Sequence, residues 1–328
     1  MSRFTRAAAT MHTLSLAAME EASRFGVRDA DIDHLLLALT LDPDVGGQVL
    51  RGLGVSLTAA RAAVGSQHAE QLDLVGISSG GNEGARIVFH ETSGYEWTDR
   101  AIAVLKDASR GDRRGDSAAV LRALVDERSG LIEAILRRLD VDPDVLRTRL
   151  EDAQRVDVTV PTPNGEGSLS GTRSVFVPAS IEDVWALLSS PARIPEWDQG
   201  IASIAESGDD AAEWEARTAS ASADGRPIRV AEEFRRQLVR LVHCDEPTDI
   251  RWRFLHPDAP RSNARSVGFA LEHAAGGIQL RTTLTWETEH RRGGLVRSSV
   301  RRLLTPLHRF VLFIQLTQLE SGITRVFR

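Results

Sequence analysis

Lysine and cysteine are almost missing from this chain, and each gap excludes chemistry. Lys106 is the single lysine among 40 basic residues; the rest are arginine. A phosphate-binding Gly-x-x-x-x-Gly-Lys-Ser/Thr loop needs its lysine on the β/γ-phosphates. Lys106 stands in Val104-Leu105-Lys106-Asp107 with no glycine loop before it, so an ATPase of that class is excluded. Cys244 is the only cysteine. That excludes an intramolecular disulfide and a cysteine-based zinc site, and it fits a reducing cytoplasm. Long apolar runs are also lacking: none approaches the roughly 18 residues needed to span a bilayer. Arg3 and Arg6 are not followed by a continuous apolar segment, so no secretory signal is expected. The histidines lack ligand spacing such as His-x-x-x-His, so neither a metal nor any other cofactor is expected.

An excess of positive charge is lacking too. Residues 1–153 hold 24 acidic and 18 basic side chains, and residues 154–328 hold 22 of each. An acidic first half argues against nucleic acid as a partner. Arginine in place of lysine, with abundant alanine, points to GC-rich bacterial coding. What is present fits a globular protein: 328 residues, 42% hydrophobic and 26% charged, enough for two cores.

The first half carries one pattern twice. Arg3-Phe4-Thr5-Arg6 opens a helical stretch that leads to Asp31-Ile32-Asp33-His34-Leu35-Leu36-Leu37-Ala38-Leu39. Glu96-Trp97-Thr98-Asp99-Arg100 opens a second, which leads to Ser117-Ala118-Ala119-Val120-Leu121. Each copy closes on a tail punctuated by Gly or Asp: Leu50-Arg51-Gly52-Leu53-Gly54-Val55 and Leu136-Arg137-Arg138-Leu139-Asp140-Val141. Such a period fixes the fold before any single residue does. The glycine-rich stretch 76–84 reads as a loop between the copies.

These motifs resemble the Clp N-terminal domain, the double four-helix repeat of the Clp/Hsp100 unfoldases. The resemblance covers residues 1–152, and its first copy carries the motifs best. It implies an all-α double repeat. It also implies a partner-binding surface with Phe4, Thr5, Asp33, His34 and Trp97, and partners among the Clp machinery, its clients or its ligands. In that family the acidic position of the Leu-rich helix binds phosphorylated arginine. Asp33 stands there in the first copy and Ala118 in the second, so only the first can pair with a guanidinium. The plainer reading is that Asp33 caps a helix and His34 lies beside it on the surface.

Residues 153–171 read as a linker, centred on Pro161-Thr162-Pro163-Asn164-Gly165. Beyond it, over 172–328, the period changes to alternation, and five of the six tryptophans lie there. Strands are expected at Ser174–Val177, Ala212–Ala219, Ile228–Leu238, Ile250–His256, Ser266–His273 and Ile278–Glu287. A helix capped by Ser180 follows the first strand. A long one, about Leu295–Leu319, ends the order, with Pro306 expected to kink or break it. This α+β order, with Pro191-x-x-x-Pro195-x-Trp197, resembles the START-like superfamily and its polyketide cyclase/dehydrase and lipid-transport branch. The resemblance implies a helix-grip fold: a curved antiparallel sheet around the C-terminal helix, with a cavity between them.

Alternation puts Trp252, Phe254, Phe269, Thr282 and Trp286 on one inner face. Trp185 of the first helix and Leu303, Leu307 and Phe310 of the last one cover that face. These are the candidate ligand-binding residues, for an apolar small molecule. The same phase aims Glu232, His256 and His273 inward as acid–base candidates, though no residue is assigned as catalytic. The leading expectation is therefore a cytoplasmic, non-enzymatic binding protein, a Clp-associated adaptor or decoy with a hydrophobic cavity. The competing one is a polyketide cyclase or dehydratase with a Clp-like docking domain.

Overall fold

The computed structural model describes residues 3–74, 76, 96–110, 115–155, 169–206, 213–221, 226–287 and 296–328; the side chains of 3–9, 206 and 296–310 are not described. The chain divides into two compact units, Met1–Thr159 and Val160–Arg328.

The first unit is a double repeat of helices. One copy comprises α1 (Arg3–Arg24), the short β1 (Asp29–Ala30), α2 (Ile32–Thr40), α3 (Val45–Gly52) and α4 (Leu57–Leu74). The other comprises β2 (Glu96–Trp97), α5 (Asp99–Ala108), α6 (Ser117–Val125), α7 (Leu131–Arg138) and α8 (Pro143–Arg155). β1 and β2 pair in parallel and join the copies. Every residue of α2 is buried, as is almost all of α6, which is what two Leu- and Ala-rich central helices require. The tails repeat at the level of single bonds. Gly54 (φ 85°) and Asp140 (φ 55°) take the left-handed position after α3 and α7. Val55 N–H then returns to Leu50 O and Val141 N–H to Leu136 O, both at 3.0 Å, the Schellman closure. The copies also meet at Gly46, whose N–H donates to Ser117 Oγ at 3.1 Å. A Cβ there would lie 2.6 Å from Ser117 O, so only glycine allows this approach.

The second unit is one seven-stranded antiparallel sheet with helices against it. Its elements are β3 (Leu169–Val177), α9 (Ile181–Ser189), α10 (Ile194–Trp197), β4 (Ile201–Glu206), β5 (Glu213–Thr218), β6 (Arg236–Asp245), β7 (Asp249–Leu255), β8 (Ala264–Ala274), β9 (Gly277–Glu287) and α11 (Val296–Val326). The sheet order is β3-β9-β8-β7-β6-β5-β4. α9 and α10 carry the chain from one edge strand to the other, and a meander then returns it. Ser180 caps α9, accepting from Asp183 N–H at 3.1 Å. Trp185, Trp197, Trp252, Phe254 and Phe269 form one core with Leu312, Leu316, Leu319 and Ile323 of α11.

Three expectations are corrected. α11 is continuous through Pro306 and ends at Val326, well past Leu319. β3 begins at Leu169, before residue 172. The stretch Ile228–Leu238 is not one strand: Glu232–Phe234 forms a 3-10 turn, and β6 starts at Arg236, where pairing with Arg217 of β5 begins.

Candidate functional site

The inner face of the second unit is largely apolar. Trp252, Phe254, Phe269, Leu280 and Leu284 point inward from β7, β8 and β9, each at most 2% exposed. Trp252 Nε1 donates to Leu188 O of α9 at 2.9 Å. Phe269 meets Trp197 edge-on at 5.2 Å between ring centroids, the arrangement favoured by the ring quadrupoles. Trp185 is buried on α9. Trp286 is half-buried, and its Nε1 donates to Gln315 of α11 at 3.1 Å. The side chains of Leu303, Leu307 and Phe310 lie outside the described residues.

A polar cluster interrupts this face. Arg173 points inward from β3, and its Nε donates to Glu320 Oε2 of α11 at 2.8 Å. Its guanidinium also lies 4.9 Å from the Phe313 ring centroid. Gly171, two residues earlier on β3, makes room for α11: a Cβ there would lie 3.0 Å from Leu316 Cδ1. Burial raises the Glu320 pKa, and Arg173 opposes the shift. The cost of desolvating both charges is recovered only through good geometry and further bonds. Here one oxygen, Glu320 Oε1, is buried without a partner, as is Thr282 Oγ1. Thr282 is the register partner of Arg173.

Neither Arg173 nor Glu320 is among the residues expected from alternation, although both were in phase. Arg173 alternates with Gly171 and Val175 on β3. Glu320 follows Leu312 and Leu316 at the i+4 spacing of α11. A strand begun at Ser174 and a helix ended at Leu319 each stop one residue short of them.

The three acid–base candidates do not line this face. Glu232 is 81% exposed and pairs with Arg235 within its 3-10 turn at 2.7 Å; alternation does not apply before β6 begins. His273 is exposed near the β8–β9 hairpin, beyond the helical cover. His256 lies just past β7, half-buried against Phe234, with Nδ1 at 3.3 Å from Arg236 O. Burial lowers its pKa.

In the first unit Asp33 is 1% exposed and His34 is 3% exposed, so neither is a surface residue. Asp31 rather than Asp33 caps α2, in a reciprocal box with His34. Asp31 also accepts from Thr98 Oγ at 2.5 Å and pairs with Arg100, which ties α2 to the second copy. Asp33 accepts His34 N–H at 2.8 Å and faces His68 Nε2 of α4 at 2.6 Å. Burial alone would raise the Asp33 pKa, but the bonds from His34 and His68 hold it well below the carboxylate range. The bond to Asp33 outweighs burial and raises the His68 pKa. Trp97 is half-buried in β2 beside Ala30. The side chains of Phe4 and Thr5 lie outside the described residues. Ala118, the counterpart of Asp33, is buried.

Among the described residues, no group of three or more His, Cys, Asp or Glu side chains is placed to hold a metal ion. No described helix is long and apolar enough to cross a membrane.

Residues 168–312 match the family described as Polyketide cyclase / dehydrase and lipid transport. The seven-stranded antiparallel sheet with its C-terminal helix fits a START-like domain. No curated protein matches the sequence. Solved structures similar to this chain include the di-domain ARO/CYC StfQ from the steffimycin biosynthetic pathway (14% identity, TM-score 0.34, 62% of this chain and 60% of that one). Protein CV1439 from Chromobacterium violaceum is another (13%, 0.31, 47% and 96%). A START superfamily protein from Mycobacterium smegmatis is a third (14%, 0.32, 49% and 99%). The resemblance of the first unit to the Clp N-terminal domain rests on the sequence alone.

Proposed function

We propose that this chain is a cytoplasmic, non-enzymatic binding protein whose second unit holds an apolar small molecule between its sheet and α11. The observation that carries this reading is the shared inner face of Trp252, Phe254, Phe269 and Leu284 under a helix, within a segment of the lipid-transport and cyclase family. Apolar surface covered at about 25 cal/mol per Å2 holds a hydrocarbon skeleton without any catalytic group. The test is quenching of tryptophan fluorescence by fatty-acyl and polyaromatic ligands. Thr282→Trp, which fills the inner face, is expected to weaken binding about tenfold or more. If no ligand quenches the wild type, the unit is a scaffold and the proposal fails.

The first unit is proposed to dock to Clp machinery or its clients, making the chain an adaptor or a decoy. The support is the Phe4-Thr5 and Asp33–Leu39 pattern. Because His68 already occupies Asp33, a client guanidinium has to displace it. Phosphoarginine is therefore expected to bind the wild type weakly and His68→Ala more tightly. Calorimetry showing tight binding that ignores both Asp33 and His68 would place the site elsewhere.

One observation favours a second reading, a cyclase or dehydratase. Glu320 is a buried carboxyl of raised pKa beside a cation, which suits an acid or base. Turnover of a poly-β-ketone thioester that Glu320→Gln abolishes, with binding intact, would favour the enzyme.

A further inference from the structure

One copy of the helical repeat carries a pair that the other lacks. His68 Nε2 of α4 meets Asp33 Oδ2 of α2 at 2.6 Å. In the second copy Ala118 stands in place of the carboxylate. Counted from the matching Val55 and Val141 tails, Gln154 of α8 stands in place of His68. α8 is tied to α6 instead by Arg122, which faces Glu151 at 3.5 Å. The repeat therefore folds without an imidazole–carboxylate pair. The buried side chains of α4 are Leu57, Ala60, Ala63 and Val64, all in its first half. From Gly65 to Leu74 no residue is buried. Gly65 weakens the helix where this apolar anchor ends. The ties on the second half are polar. His68 is held on Asp33, and Arg138 of α7 donates from Nε to Gln67 at 2.8 Å and pairs with Glu70.

Histidine is the side chain in these ties that gains and loses a proton near neutral pH. His34 Nδ1 accepts Asp31 N–H at 3.1 Å. An imidazole nitrogen that accepts carries no proton, so the ring that supplies a proton and a balancing charge to Asp33 is His68. Its side chain is 37% exposed, open enough to exchange that proton with water. We propose that residues 65–74 form a proton-operated latch, seated on α2 while His68 is an imidazolium and released about Gly65 when the proton leaves, uncovering Asp33. The charges around the pair come from several helices. α2 brings Asp33, with Asp31 at its cap, and α5 brings Arg100 against Asp31. α1 brings Glu21, bound by Arg61 of α4 at 2.6 Å, and Arg24 beside Arg61. α4 and α7 bring Glu70 and Arg138. The bond to Asp33 raises the His68 pKa more than burial lowers it, and the charges of Asp33 and Asp31 add to the rise. The seated form is thus favoured below the ordinary histidine range and is lost as pH rises through the raised value. Past the other end of α2, beside Asp44 and Arg51, Asp42 titrates separately at about 7.

The test is amide hydrogen exchange of the full chain at pH 6 and pH 9, expressed as protection factors so that the intrinsic pH dependence of exchange cancels. Protection of residues 66–74 is expected to fall about fivefold between the two, because a charge-assisted hydrogen bond is about twice as strong as a neutral one. His68→Gln can donate a similar bond but cannot titrate, and the second copy already carries glutamine at this place. Residues 66–74 of that variant are expected to be equally protected at both values. Asp42→Asn removes the separate titration near neutrality, and the fall is expected to persist in it. Equal protection of residues 66–74 at pH 6 and pH 9 in the wild type overturns the latch. So does a fall that survives in His68→Gln, or one that disappears in Asp42→Asn.

Discussion

Asp33 and Asp42 are both buried in the first unit, yet their surroundings drive their protons in opposite directions. Asp33 has His34 and His68 for partners and stays ionised. Asp42 has Asp44 beside it. Burial first, and then that like charge, push its pKa up to about 7, against bonds from Ser117 and Gly47. A carboxyl whose pKa is raised on folding contributes stability below its unfolded pKa and loses it as pH rises through the folded one. His68, also raised, follows the same direction above its ordinary value. Asp33 is depressed, so its contribution is present above its unfolded pKa and is lost in acid. The first unit is therefore expected to be more stable near pH 5 than at pH 8. Urea unfolding at the two values checks this, and Asp42→Asn should flatten the difference. A first unit that gains stability toward pH 8 would refute the assignment. Asp33→Asn should cost about 1–3 kcal/mol, since His68 loses its charged partner. Unchanged urea midpoints would contradict that.

At the scale of elements, two helical glycines separate packing from propensity. Gly65 lies inside α4, and a Cβ added there meets nothing within 4 Å. Gly65→Ala should stabilise by roughly 0.5–1 kcal/mol through helix propensity alone. Gly322 lies inside α11 against the Trp197 carbonyl, so the same substitution should destabilise by about 1–3 kcal/mol by forcing α11 away from α10. Thermal unfolding of the two variants should move in opposite directions. A stabilised Gly322→Ala would mean that α11 is not held at this point. β3 and α11 also explain why the polar cluster was hard to read. Periodicity is weakest at element ends, and Arg173 and Glu320 lie just beyond the ends that an apolar pattern marks. A charged residue stops such a pattern unless its partner is known.

For the whole molecule, each unit has its own core, and the contacts divide at Thr159/Val160. A fragment of residues 1–159 is expected to fold alone with an all-helical circular dichroism spectrum. A strong strand signature, or no folding, would count against two autonomous units. The full chain is expected to show no ATP hydrolysis, because Lys106 has no phosphate loop around it. Turnover that survives further purification would overturn that reading.

Much of the architecture follows from local sequence. The repeated Leu-rich helices, the paired Gly54 and Asp140 turns, the Ser180 cap and the alternating strands are short-range patterns, set by backbone sterics and the burial of one face. Those patterns also placed Trp252, Phe254, Phe269 and Thr282 together on the inner face. Tertiary packing decided the rest, because it joins residues far apart in the chain. It set Glu320 against Arg173 and His68 against Asp33. It made Asp31 the cap and left Asp33 buried, and it put Glu232 and His273 in solvent. Alternation reports which face a side chain takes, but not where the pairing begins or what covers that face. Those depend on strand register and on a helix that arrives from the other end of the domain.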